Sequence, residues 1–293
     1  MAAVGILGGA GLVGLGMKHD GGSLPLAGFS DSAATSKSSP APTGPTPEEL
    51  AAQARAKQVT ALNAALKQYA KSVPEFSVAV LDKKTGQKFS YRGTETYDTA
   101  SVVKVQVLAC LLMTAQDKGR DLTSTELSLA KRMIHLSDND ATTSLFNKLG
   151  KNPAVQACDK RLGLTQTKVN SAWGLTRTTV DDQVKLLAQL VSTSSPLDAD
   201  SRKLAFNLMN HVDKSQDWGV PAAARTGEVF TVKNGWDTRT ADSGRWVVNT
   251  VGRITGPSTD VSVAVLSHGH RSMADGIKVV EKVAKMTRQY LKY

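Results

Sequence analysis

Strand-like runs lie at both ends of this chain's folded part, with a long helical stretch between them, and that order restricts the fold more than any other feature. FSVAVLD and QKFSYR, joined by a KKTG turn, read as a hairpin near the start. From Ser101 to about Asn210 the apolar spacing is mostly helical, and VFTVKN, RWVVNTVG and VSVAVLS then return to strand character. A closing amphipathic helix carries Ile277, Val280, Val283 and Tyr290 on one side. Strands so distant in sequence pair best in one antiparallel sheet. The expected fold class is therefore α+β: a sheet flanked by N- and C-terminal helices, with an all-helical lobe inserted. A cleft between sheet and lobe is the natural place for a site.

The body that would hold this sheet is expected over residues 46–293. It opens on TPEEL, where Thr46 can cap a helix over roughly 47–72, with Pro47 at the first helical position and acids in the first turn. Residues 21–45 are mostly Ser, Ala, Pro, Gly and Thr, too poor in large apolar groups to bury a core, and read as a disordered linker. Residues 1–20 hold the uncharged run AVGILGGAGLVGLGM followed by Lys18, which reads as part of a signal peptide or anchor. Leader and linker together suggest an exported protein, extracellular or held at the cell envelope, with a membrane tether through the leader.

Lys and Arg exceed Asp and Glu by 36 to 26, a formal charge of +10. The cations are scattered, aromatics make up only 5% of residues and no nucleic-acid motif is present, so nucleic acid is not the expected partner. Attraction to an anionic envelope accounts for the charge equally well. Cys110 and Cys158 suit neither a zinc site nor a CxxC motif, and are two buried thiols or one bridge. No HExxH occurs; His268 and His270 read as surface residues, and neither a metal nor a cofactor is expected.

Three short motifs carry the chemistry. In TASVVK, Ser101 and Lys104 stand three apart, so on a helix the hydroxyl and amine share a face. Burial would push the amine toward its neutral form, able to take the serine proton, and a helix start offers free N–H groups to an oxyanion. The bland alternative has Thr99 as a cap and Lys104 snorkelling to water. Ser128 and Lys131 match the spacing too, but mid-helix. In Ser137-Asp138-Asn139 the alternatives are a helix cap or a proton relay beside a positioning amide. In Lys233-Asn234-Gly235 they are an Asn-Gly hairpin turn, or a cation, an amide and a bare backbone along a strand that a substrate can approach. Arg225-Thr226-Gly227 looks similar but precedes the strand.

Taken together and in this order, S-x-x-K, S-D-N and K-x-G resemble the signature of the class A β-lactamase and penicillin-binding-protein superfamily, over essentially residues 46–293. The resemblance implies a β-lactamase-like fold and a covalent acyl-enzyme at Ser101. It makes Lys104 the general base, Ser137 the proton shuttle, Asn139 the positioning amide and Lys233 the cation facing a substrate carboxylate. The oxyanion hole would be the N–H groups of Ser101 and Trp236, beside Asn234 and Gly235. Arg245 is similar to a substrate-carboxylate arginine.

Two departures qualify the activity. The stretch LGLTQTKVNSAWGLTRTTV, Leu162 to Val180, holds no Asp or Glu where class A enzymes carry the glutamate that activates the deacylating water. The link from Ser101 to Ser137 is also shorter than in those enzymes. The expectation is a penicillin-interacting serine acyl-hydrolase or acyltransferase with weak or no β-lactamase turnover. As a monomer it would act on a small molecule or a peptidoglycan-derived peptide ending in a D-amino acid, with β-lactams as acylating ligands. The alternative is a catalytically silent wall-binding or scaffold protein on the same fold.

Overall fold

The computed structural model describes residues 44–293; the expected leader and nearly all of the linker lie outside the described residues. Helix α1 (Pro47–Tyr69) begins where its sequence says it should. Glu49 N–H donates to Thr46 Oγ1 at 3.2 Å and the Glu49 carboxylate accepts from Thr46 N–H at 2.7 Å, a reciprocal capping box. The hairpin follows as β1 (Phe76–Asp82) and β2 (Lys88–Tyr91). Two-residue strands β3 (Tyr97–Asp98) and β4 (Arg177–Thr178) pair with each other across the helical stretch. That stretch contains α2 (Val103–Gln116), α3 (Ser124–His135), α4 (Asn139–Leu149), α5 (Lys151–Leu162), α6 (Val180–Gln189) and α7 (Ala199–Met209). The chain returns through β5 (Val229–Arg239), β6 (Arg245–Thr255) and β7 (Asp260–Ser267), and closes with α8 (Met273–Leu291).

Chain-distant strands do form one antiparallel sheet, in the order β2-β1-β7-β6-β5. The two-residue period of each strand decides what lies on either face. Val78, Val80, Val263 and Val265 pack with Leu62 and Leu66 of α1 and Val280 and Val283 of α8. Ala79, Ala264 and Leu266, on the alternate positions, join the helical lobe's core. At that core's centre runs α2, buried from Val103 through Met113 and apolar nearly all round, as a helix enclosed by others must be.

Cys110 on α2 and Cys158 on α5 are joined in a disulfide that closes a loop with a sequence separation of 48. The bridge ties the helix behind Ser101 to the helix preceding the Leu162–Val180 stretch. Serine at both positions is expected to lower unfolding free energy by about 2–4 kcal/mol. Denaturant melts of the oxidised protein and the double variant check this, and coincident midpoints would count against the bridge as a staple. Among the described residues no helix is long and apolar enough to cross a membrane, and no cluster of His, Cys, Asp or Glu could hold a metal ion.

Candidate active site

The segment carrying Ser101 is fixed before the helix starts. Thr99 N–H donates to the Thr176 carbonyl at 2.8 Å, while Asn249 Nδ2 on β6 donates to the carbonyls of Asp98 and Thr99 at 2.8 and 3.0 Å. The Asp98 carboxylate takes Arg239 at 2.6 Å and Arg177 at 3.1 Å. Ala100 then adopts a left-handed φ of 44°, which L-residues avoid unless their surroundings impose it, and a single 3-10 turn over Ala100–Val102 leads into α2. Thr99 makes no capping bond; its hydroxyl is buried without a partner.

Lys104 does not snorkel. It is fully buried, and its amine lies 2.9 Å from Ser101 Oγ, 3.1 Å from Ser137 Oγ, 2.6 Å from the Ser137 carbonyl and 2.8 Å from Asn139 Oδ1. Burial pushes its pKa down to about 7, against a smaller upward pull from Asp138. Ser137 reaches the amine because its own φ is 56°, turning the chain sharply between α3 and α4. Ser137-Asp138-Asn139 combines a helix cap with contacts to the lysine. Asp138 caps α4, accepting from Ala141 N–H at 2.8 Å and pairing with Arg132, while Ser137 and Asn139 turn to the lysine.

Lys233 arrives from β5, the sheet's edge strand, and is also fully buried. Its amine donates to Ser137 Oγ at 3.0 Å, to the Asn234 carbonyl at 2.8 Å and to Gln216 Oε1 at 3.4 Å. Burial first, and the nearby Lys104 second, hold its pKa well below the ordinary lysine range. The Ser137 hydroxyl thus bridges two desolvated amines. Asn234 turns away and anchors the strand, its Nδ2 donating to the carbonyls of Gln216 and Trp218 at 2.8 and 3.0 Å. No hairpin turn forms at Asn234-Gly235, which lie within an eleven-residue strand paired to β6 throughout.

Gly235 is required by proximity. A Cβ there would lie 2.8 Å from Ser101 N, Thr99 O and Val102 N, closer than real Cβ contacts come to backbone. Gly235→Ala is therefore expected to push β5 off the Ser101 turn and slow any reaction at Ser101 by roughly 100-fold, the cost typical of a 1 Å misplacement. Rates of acylation by a β-lactam, compared at matched fold content, test it; an unchanged rate would show that this approach is not needed.

Arg245 is not brought to this group. In the sheet register Gly235 faces Asn249 whereas Arg245 faces Arg239, and the Arg245 guanidinium donates to the Gly269 carbonyl at 3.1 Å. The β5–β6 hairpin extends far enough past Gly235 to carry Arg245 out of reach. His270 is likewise displaced from its expected place: it is fully buried, its Nε2 2.9 Å from Ser267 Oγ, and burial lowers its pKa to about 4. His268 is part-exposed beside Glu75. Gln216, Asn249, Arg239 and Trp173 complete the surroundings and carried no sequence signal; each is placed by tertiary pairing alone. Trp173 stands with its ring centroid 5.1 Å from the Lys104 amine.

A hydroxyl touching a buried amine of depressed pKa, at the seam between an antiparallel sheet and a helical lobe, places the molecule in the β-lactamase-like class of serine hydrolase folds. The chain belongs to the Beta-lactamase enzyme family, whose sequence profile matches residues 55–127 and 124–291. Its backbone is similar to an ancestral class A β-lactamase (TM-score 0.67, 23% identity, 78% of this chain and 99% of that one). It is similar also to a class A β-lactamase from Mycobacterium abscessus (TM-score 0.68, 17% identity, 79% and 100%). At such identities the likeness speaks to the fold alone. In sequence it is 29% identical, over 168 residues, to LppW, a candidate lipoprotein of Mycobacterium tuberculosis. That match covers 55% of this chain and 53% of the relative, so the chain spans about half the length of the curated relatives it matches.

Proposed function

We propose that this protein is an exported serine acyl-hydrolase or acyltransferase that forms a covalent acyl-enzyme at Ser101. The observation that carries the reading is the 2.9 Å contact between Ser101 Oγ and a Lys104 amine whose pKa lies near neutrality. A neutral amine accepts the Ser101 proton as Oγ attacks the acyl carbonyl. The Ser101 and Trp236 N–H groups would receive the oxyanion, the first at a turn start and the second on an edge strand with a free side. Ser137 Oγ, within 3.1 Å of both amines, is suited to pass the proton on to a leaving nitrogen. Asn139 holds Lys104, and Lys233, whose own surroundings disfavour its charge, is placed to donate to a substrate carboxylate whose negative charge would draw it back to the protonated form.

A Lys233 amine that a substrate carboxylate would return to its charged form suits a peptide with a terminal carboxylate, and a cell-wall peptide ending in a D-amino acid fits. β-Lactams, which carry the same acyl and carboxylate groups, are expected to acylate Ser101, and the missing acid between Leu162 and Val180 makes the adduct slow to hydrolyse. The disulfide, the +10 charge and the likeness to a candidate lipoprotein support an envelope location, since such bridges persist in oxidising compartments. Incubation with a fluorescent penicillin, then denaturing electrophoresis, tests the reading. A band that survives denaturation is expected; no covalent labelling by any β-lactam or acyl-ester probe would overturn it and favour a silent binding protein.

A further inference from the structure

Beside Lys104, in a stretch without a single carboxylate, stands an indole. Trp173 rides on a 3-10 turn, Trp173–Leu175, held on several sides. Its Nε1 donates to Thr143 Oγ1 of α4 at 3.2 Å, Gly174 O accepts from Arg239 at 3.2 Å, and Thr176 O accepts from Thr99 N–H at 2.8 Å. The ring is thereby fixed between the Asn139 helix and the Ser101 turn, 5.1 Å from the Lys104 amine. That amine already has Ser101, Ser137 and Asn139 around it and no surface exposed to solvent.

We propose that Trp173 is a water-excluding residue that determines the fate of the acyl group on Ser101. The inference rests on the acyl-enzyme reading above. Hydrolysis requires a water oxygen to bond to the acyl carbon while its proton passes to Lys104. The bond from that carbon to Ser101 Oγ then breaks, and the proton returns from Lys104 to Oγ. With the indole against Lys104, the polar contacts of the amine are already taken, and an apolar face covers its flank. A water there would have neither a seat nor a base. The ring is also part of the apolar surroundings in which burial lowers the Lys104 pKa; its face attracts the ammonium form, but desolvation is the larger effect and keeps the neutral amine available during acylation. Trp173 thus favours making the adduct and disfavours losing it to water.

The test uses the full chain, acylated with benzylpenicillin and freed of excess reagent, with intact mass followed over time for wild type, Trp173→Ala and Trp173→Phe. Trp173→Ala is expected to shorten the adduct's lifetime about 10-fold or more and to move the acidic limb of the acylation pH profile upward, as a rehydrated lysine regains protons. Trp173→Phe, which keeps an aromatic face, should restore most of both. Thr143→Val, which removes only the indole's exposed partner, should shift lifetime in the same direction by less, and serves if the alanine variant folds poorly. A wild-type adduct whose lifetime and pH limb survive loss of the indole overturns the water-excluding role alone. Failure of wild type to form any adduct overturns both this inference and the acyl-enzyme reading.

Discussion

Ser101→Ala is expected to abolish covalent labelling by β-lactams while leaving the fold in place. The side chain is half-buried at a turn held by backbone contacts to Thr176, Asn249 and Val102, none of which involves its hydroxyl. Its loss removes one contact to Lys104, worth about 1 kcal/mol by the usual measure of a hydrogen bond. The result is informative because other hydroxyls are nearby. Ser137 Oγ touches both lysines and is the rival nucleophile. The close approach of β5 that Gly235 permits is to the backbone of Ser101 itself, which favours the Ser101 hydroxyl as the one whose acyl group meets that N–H. Ser137→Ala should slow labelling without abolishing it. If Ser137→Ala alone removed the label while Ser101→Ala kept it, the two roles would have to be exchanged.

Lys104→Met is expected to lower the acylation rate by roughly 10²–10⁴-fold, the range for loss of a positioned general base. Methionine fills the buried volume and adds no charge, so the change isolates the amine. The pH profile supplies the mechanism. With a pKa depressed to about 7, Lys104 is mostly protonated below neutrality and mostly neutral above it. The wild-type rate should therefore fall about tenfold per pH unit below about 7 and level off above it. In Lys104→Met that limb should vanish. Lys104→Arg should not rescue at any accessible pH, because a guanidinium does not give up its proton in proteins. Stopped-flow acylation across pH 5–9, about the range a folded domain tolerates, checks both expectations. A wild-type rate independent of pH would show that another group takes the serine proton.

The sequence made parts of this site readable because they are local. Ser101 and Lys104 belong to one turn of chain, Ser137 and Asn139 to one junction, and Lys233 and Gly235 to alternate positions of one strand. Each pair declares its geometry through a short spacing. The sheet was readable for a related reason, since alternating apolar residues in FSVAVLD and VSVAVLS must find two buried faces. What could not be read depends on register and loop path. Arg245 was expected in the site, but the β5–β6 pairing sets Asn249 opposite Gly235 and leaves Arg245 at the far end of the hairpin. His270 looked like a strand-end surface residue, yet its chain folds back to bridge Trp246 and is buried. The Asn-Gly pair has the composition of a turn and the structure of a strand, because the close approach to Ser101 asks for glycine there. Asp98, joined to both Arg177 and Arg239, and Trp173 over Lys104 bring together residues far apart in sequence, and no spacing rule anticipates them.

The most direct test of the central claim is peptide-level mass spectrometry of the wild-type protein after exposure to benzylpenicillin. One penicilloyl group on the peptide containing Ser101, with Ser128 and Ser137 unmodified, is the predicted result. A protein that remains unmodified, or carries the group elsewhere, would contradict it.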